Sequence, residues 1–170
     1  MNLTIDQGNT LTKVGVFKEN ELISLLSFEI VELDDIKNLF SLYPITNTII
    51  SSVKNPKNEL INLLKTSSKK FIELNHTTPL PIDNNYKTPE TLGKDRIAAV
   101  VGAHYLQPHK NALIIDAGTA VTFDILTAED KYIGGSISPG IQMRLKALHS
   151  FTKKLPLVEW QKDTPTIGTD

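Results

Sequence analysis

Two stretches of this chain resemble one another closely. LTIDQGNTLTKVGVF at residues 3–17 and LIIDAGTAVTFDIL at 113–126 both run from apolar residues into Asp, one spacer and Gly, then Thr, then an alternating apolar stretch. Period-two alternation reads as a strand, and the glycine as a tight turn into the next strand. With Asp6 and Asp116 110 positions apart, the chain is expected to form two halves that begin alike.

The chemistry available to such a hairpin is specific. Glycine at the turn lets a ligand approach the backbone. The turn N–H groups and a threonine hydroxyl can cradle phosphate oxygens. A carboxylate at the strand end can hold a divalent cation directly or through water. Two copies facing across a cleft would grip a nucleotide triphosphate from both sides. Asp-Gly is also common in hairpins of no function, so one copy alone would carry little. No GxxxxGK[ST] loop is present, and Gly134-Gly135 is not a dinucleotide fingerprint.

The remaining pattern alternates strands and helices. Residues 2–6, 12–18 and 21–30 read as an antiparallel meander, with turns at Gly8-Asn9 and Glu19-Asn20. Helices are expected over 33–42 and 57–66, and strands over 47–53 and 69–74. Residues 75–91 read as a connecting or binding loop, and 92–106 as a helix with Ile97, Ala98, Val101 and Tyr105 on one stripe. The second hairpin then occupies 112–117 and 120–126, followed by a strand near 131–134, a turn at 136–140 and a helix over about 140–150. The fold class is α/β, a mixed sheet that begins with an antiparallel meander flanked by helices. The expected division is 1–110 and 111–170.

With 170 residues, 40% of them hydrophobic, the chain can bury a core. A net charge of −1 argues against a general nucleic-acid or anionic-membrane binder. There is no cysteine for disulfides, thiol catalysis or zinc. The opening MNLTIDQGN has no signal-peptide character, and the longest apolar run, Ile97 to Val101, is too short to span a bilayer.

Gly93, Lys94, Asp95 and Arg96 stand where the loop enters a helix. Asp95 and Arg96 can be read as an ordinary capping carboxylate and a solvated cation. They can equally be read as a base that takes a proton from a substrate hydroxyl, and a planar donor for a carboxylate or phosphate. His76, His104, His109 and His149 lack metal-ligand spacing, Trp160 is expected to pack, and Lys153, Lys154 and Lys162 to form a solvated face.

Four segments carry a family resemblance: DQGNTLTK at 6–13, YKTPETLGKDR at 86–96, DAGTAVTFD at 116–124 and GGSISPG at 134–140. In this order they resemble the type III pantothenate kinases, of the actin, hexokinase and Hsp70-like ATPase superfamily. The resemblance implies duplicated RNase H-like domains and ATP-dependent phosphorylation of pantothenate, the first step of coenzyme A synthesis. It implies that Asp95 is the base, and that Tyr86, Gly93, Lys94, Asp95 and Arg96 line the pantothenate pocket. It implies that Asp6 supports Mg²⁺–ATP, that Gln7, Gly8, Asn9, Thr10, Lys13 and Thr119 contact ATP, and that Asp116 serves a monovalent cation, K⁺ or NH₄⁺. On position alone, the reading of Lys13 as an outward-facing strand residue is the favoured one. A cytoplasmic homodimer, without nucleic acid or membrane partners, is also implied.

Family chains run on beyond this length, and IGTD at 167–170 resembles the start of a substrate-contacting segment. A truncated second domain is therefore expected, with Thr169 not in the contacting place. Two other readings stand beside the kinase: another actin-like phosphotransferase or phosphohydrolase, and a non-catalytic nucleotide-binding regulator.

Overall fold

β1 (Asn2–Gln7), β2 (Thr12–Lys18) and β3 (Glu21–Phe28) form the expected antiparallel meander. The computed structural model describes residues 1–163, so the 167–170 segment lies outside the described residues. After α1 (Leu33–Leu42), β4 (Asn47–Ser52) returns parallel to β1; after α2 (Asn58–Ser67), β5 (Lys70–Glu73) pairs parallel with β4. The sheet order is β3-β2-β1-β4-β5. Alternation decides which face each residue takes. Leu3, Ile5, Val14, Val16 and Ile50 turn to one face, where Ile36 and Leu39 of α1 and Leu60 and Leu64 of α2 close the core. α1 begins at a capping box, in which the Glu32 N–H donates to Asp35 Oδ2 over 2.9 Å.

The loop at 75–91 is more ordered than its turn-rich composition suggests. It holds a two-residue strand, β6 (Asp83–Asn84), and a 3₁₀ turn at Pro89–Thr91. β7 (Ala112–Ala117), β8 (Ala120–Leu126) and β9 (Lys131–Pro139) repeat the meander, and β6 joins its edge in parallel, giving the order β6-β9-β8-β7. The mixed α/β class and the two similarly started sheets hold. The two hairpins are not copies, however. Asp6 pairs with Lys13 across a four-residue turn, 8–11, whereas Asp116 pairs with Thr122 and the turn is one residue shorter.

Three expectations are corrected. The turn at 136–140 does not form: β9 runs straight through Gly, Ser and Pro to Pro139 before α4 (Ile141–Phe151). Pairing with β8 along its length overrides the local turn preference, and the irregularity falls instead at Ile133–Gly134, where Gly134 has φ +105°. The single stripe expected on α3 (Lys94–Leu106) also fails, since Tyr105 is exposed and the buried residues are Arg96, Ile97 and Val100. α3 is wedged between the sheets. One side joins Leu126 and Tyr132 in the second core, and the other carries Ala98 and Ala99 toward β1 and β4. A helix packed on two sides has no single apolar stripe. Trp160 does not pack; it is 55% exposed.

Candidate active site

On β1, Leu3 and Ile5 fill the core, so Thr4 and Asp6 project to the other face, toward α3. Ser51 pairs with Asp6 in the β1–β4 register and takes the same face. On β7, Asp116 follows the partly buried Ala112 and Ile114 to the face that α3 covers. Asp95 sits in the first turn of α3. Asp6, Asp95 and Asp116 consequently line one cavity of about 360 Å³, with Ser51, Ala98 and Ala99. Elements distant in sequence bring these three carboxylates together.

Their proximity has an electrostatic signature. The Asp6 carboxyl is held above its ordinary value of 3.8, first by loss of solvent and then by the charges of Asp95 and Asp116, while Lys13 and the Ser51 hydroxyl oppose the shift. Lys13 is the direct cross-strand partner of Asp6, on its face of the sheet. It is exposed, yet it is directed to the site rather than away from it. Ser51 is 6% exposed, and among the described residues its Oγ has no hydrogen-bond partner of good geometry. Its influence on Asp6 therefore comes from proximity rather than from an aligned hydrogen bond.

The two turns meet. Thr10 Oγ1 and Thr119 Oγ1 are 3.2 Å apart. Within the first turn the Gly8 N–H donates to the Leu11 carbonyl over 3.0 Å; within the second, the Gly118 N–H donates to the Ala120 carbonyl over 2.9 Å. Gln7 Oε1 accepts from Ser52 Oγ at 2.8 Å, which ties the end of β1 to β4. Asn9 is exposed beside Thr10 at the tip. Gly140, which opens α4, lies so close to Gly118 and Thr119 that a Cβ would collide with their carbonyl oxygens.

The residues from 86 to 96 divide between two places. Asp95 Oδ1 accepts the Arg96 N–H at 2.9 Å, as a helix-start carboxylate does, and the residue also lines the three-carboxylate cavity. Gly93 packs against that carboxylate, where a Cβ would clash with Oδ1. Lys94 is half-buried beside them. Tyr86 lines a second cavity of about 330 Å³ with Asn85, Lys87, Thr88, Ile133, Gly134 and Gly135. The two cavities have no lining residue in common.

Arg96 is not the solvated cation of one reading. It is 8% exposed and spends its Nε and Nη2 on Asp124, at 3.1 Å and 2.6 Å to Oδ1. This hydrogen bonding raises its pKa despite its burial. Tyr132 donates its hydroxyl to the same Oδ1 at 2.7 Å, and burial first, then Asp124, raises its pKa. Its ring stacks on Tyr86 with centroids 6.1 Å apart, and Arg96 Cζ lies 5.6 Å from the Tyr86 centroid. Sequence reasoning overlooked Asp124 and Ser51. The signal for Asp124 was present: it shares its strand face with Thr122 and Leu126, so a charge was due to fall in the core, where it must be paired.

The histidines lie apart from this site. His104 Nδ1 and His109 Nδ1 both contact Asp130, at 2.9 and 3.2 Å. Among the described residues, no three carboxylate or imidazole groups converge closely enough to hold a metal ion by themselves, and no helix is long and apolar enough to cross a membrane.

Comparison with known proteins agrees with the geometry. A family model described as type III pantothenate kinase matches residues 2–170. A type III pantothenate kinase of Phocaeicola vulgatus is 46% identical over 99% of the chain and 69% of its own length. Another, of Christiangramia forsetii, is 47% identical over 99% of the chain and 70% of its own length. A solved structure from Campylobacter jejuni, described as a Baf family transcriptional activator, is similar with a TM-score of 0.52 at 22% identity, over 98% of this chain and 69% of that one. At that identity it supports the fold alone.

Proposed function

The chain belongs to the type III pantothenate kinase family, and we propose that it transfers the γ-phosphoryl group of ATP to the primary hydroxyl of pantothenate, with Asp95 as the base. The observation that carries this reading is the convergence of Asp6, Asp95 and Asp116 on one cavity. Phosphoryl transfer asks the protein mainly for positioning and charge compensation. The site supplies a carboxylate at the start of α3 and, following the strands that carry Asp6 and Asp116, two turns in contact through Thr10 and Thr119.

In this reading Gln7, Gly8, Asn9, Thr10, Lys13 and Thr119 hold the ATP phosphates. Lys13 and the Thr10 and Thr119 hydroxyls provide donors, the Gly8 and Gly118 N–H groups being engaged within their turns. Asp95 accepts the acceptor's proton through Oδ2, since Oδ1 is engaged by the Arg96 N–H. Tyr86, Gly93, Lys94 and Arg96 form the acceptor wall, with Arg96 acting from behind Tyr86.

The carboxylate set fits a cation that the nucleotide brings with it. Asp6 is held above its ordinary pKa first by burial and then by its acidic neighbours, and a positive charge beside it opposes that shift. One or two carboxylates without a complete cage suit Mg²⁺, which takes its remaining ligands from phosphates and water. Bound there, Mg²⁺ would supply charge neutralisation of the phosphates. Asp6 would hold it, and Asp116 would hold the monovalent cation. A cytoplasmic homodimer belongs to the same reading.

An ATP-consumption assay with and without pantothenate tests the proposal. Pantothenate-dependent turnover is the expected result. ATP hydrolysis indifferent to pantothenate would favour a phosphohydrolase, and nucleotide binding without turnover would favour a regulator.

A further inference from the structure

We propose that Asp124 is the positioning residue for the acceptor side of the site. It holds the Arg96 guanidinium and the Tyr132 hydroxyl in one arrangement, and through them the first turn of α3 and the ring of Tyr86. The proposal rests on the phosphotransferase reading above.

Asp124 is fully buried, at 0% exposure. A charge in that position persists only where hydrogen bonds and a counter-charge surround it. Oδ1 receives Arg96 Nε, Arg96 Nη2 and the Tyr132 hydroxyl, and Oδ2 receives Arg96 Nε at 3.1 Å. An edge-on guanidinium pair of this kind fixes direction as well as distance. Arg96 directly follows Asp95, so a shift of the guanidinium reaches the cavity carboxylate across one peptide unit. Tyr132 supports Tyr86 in a near-parallel stack, with 7° between the ring planes. One carboxylate thereby anchors both the residue beside the base and the ring that lines the second cavity.

The backbone closes this anchor in. A Cβ at Gly135 would collide with the Phe123 carbonyl and come within 2.8 Å of Asp124 Oδ1. Glycine there lets β9 press against β8 where Asp124 sits. Asp124 lines neither cavity, so it acts through Arg96 and Tyr132 rather than on a substrate.

The test is steady-state kinetics, varying pantothenate and ATP in turn, with thermal unfolding measured alongside. The proteins are wild type, Asp124→Asn, Tyr132→Phe, Arg96→Lys and the Arg96→Lys/Asp124→Asn pair. A displacement of about 1 Å can cost on the order of 10²-fold in rate, and Asp124→Asn should lower kcat/KM for pantothenate by about that much while KM for ATP stays within about threefold. Tyr132→Phe keeps the ring stack and removes one hydrogen bond; it should lower the pantothenate kcat/KM by about 3–10-fold. If Asp124 acts through Arg96, the double variant loses little beyond the worse single variant.

A folded Asp124→Asn protein with wild-type pantothenate kinetics would overturn the proposal. Equal losses for ATP and pantothenate, or fully additive losses in the double variant, would do the same. Should Asp124→Asn fail to fold, Tyr132→Phe decides: a loss confined to pantothenate supports the proposal, and unchanged kinetics overturn it. Wild-type protein that leaves pantothenate unphosphorylated would instead sink the functional reading, and this proposal with it.

Discussion

Asp6 and Ser51 stand side by side on β1 and β4, and the Ser51 hydroxyl, with Lys13, draws Asp6 toward its charged form. Burial and two facing carboxylates outweigh them. The cleft's own charges and burial thus disfavour the ionised Asp6 that would hold a cation. Ser51 Oγ, buried and without an aligned partner, adds a second polar group whose needs the protein alone leaves unmet.

Asp6→Asn should raise the stability of the nucleotide-free protein at neutral pH. The folded-state pKa of Asp6 lies above its ordinary value of 3.8, so the folded protein binds that proton more tightly than the unfolded chain does. Between the two values stability falls as pH rises, and above both the penalty is complete. Melting temperatures of wild type and variant should converge as the pH approaches 3.8 and diverge in favour of the variant at pH 7. A variant that melts lower at pH 7 would contradict the assigned balance of charges.

Asp95→Asn should stop turnover and leave ATP binding nearly intact. A general base contributes roughly 10²–10⁴-fold, and Asn cannot take the proton. Its side-chain oxygen can still accept the Arg96 N–H, so the helix start should survive. Calorimetry with ATP and a turnover assay on the same preparation separate the two effects; near-normal turnover would reject Asp95 as the base.

Lys13→Met should weaken ATP binding. A hydrogen bond to a charged group is worth about 1.5–3 kcal/mol, or roughly 10–100-fold in affinity. The same change removes a charge that opposes the raised Asp6 pKa, so it should move that value up further. Unchanged ATP affinity would restrict Lys13 to its role as partner of Asp6.

Gly135→Ala should be severely destabilising, by about 3 kcal/mol or more, because the obstacle is the Phe123 backbone rather than a movable side chain. Gly102→Ala is the control: a Cβ there meets nothing within 4 Å, and alanine is the better helix former by roughly 1 kcal/mol. Chemical denaturation of both variants gives the comparison. A Gly135→Ala protein of wild-type stability would show that β9 can move away from β8.

The sequence by itself determined the strand–turn–strand starts of both halves, the helices α1 and α2 and the aspartate one residue before the end of β1 and of β7. These depend on neighbours two to four residues away, through alternation, helical spacing and turn chemistry. It also showed the motifs on which family membership rests. Only the tertiary structure decided that α3 is packed from two sides, that β9 continues through Gly134 to Pro139, that Lys13 faces the site, and that Arg96 is claimed by Asp124. Each of these is settled by a partner many residues away. The β8 backbone accepts β9 only because glycine leaves room, and the charge of Arg96 is stable in the core only because a carboxylate 28 positions along the chain meets it there.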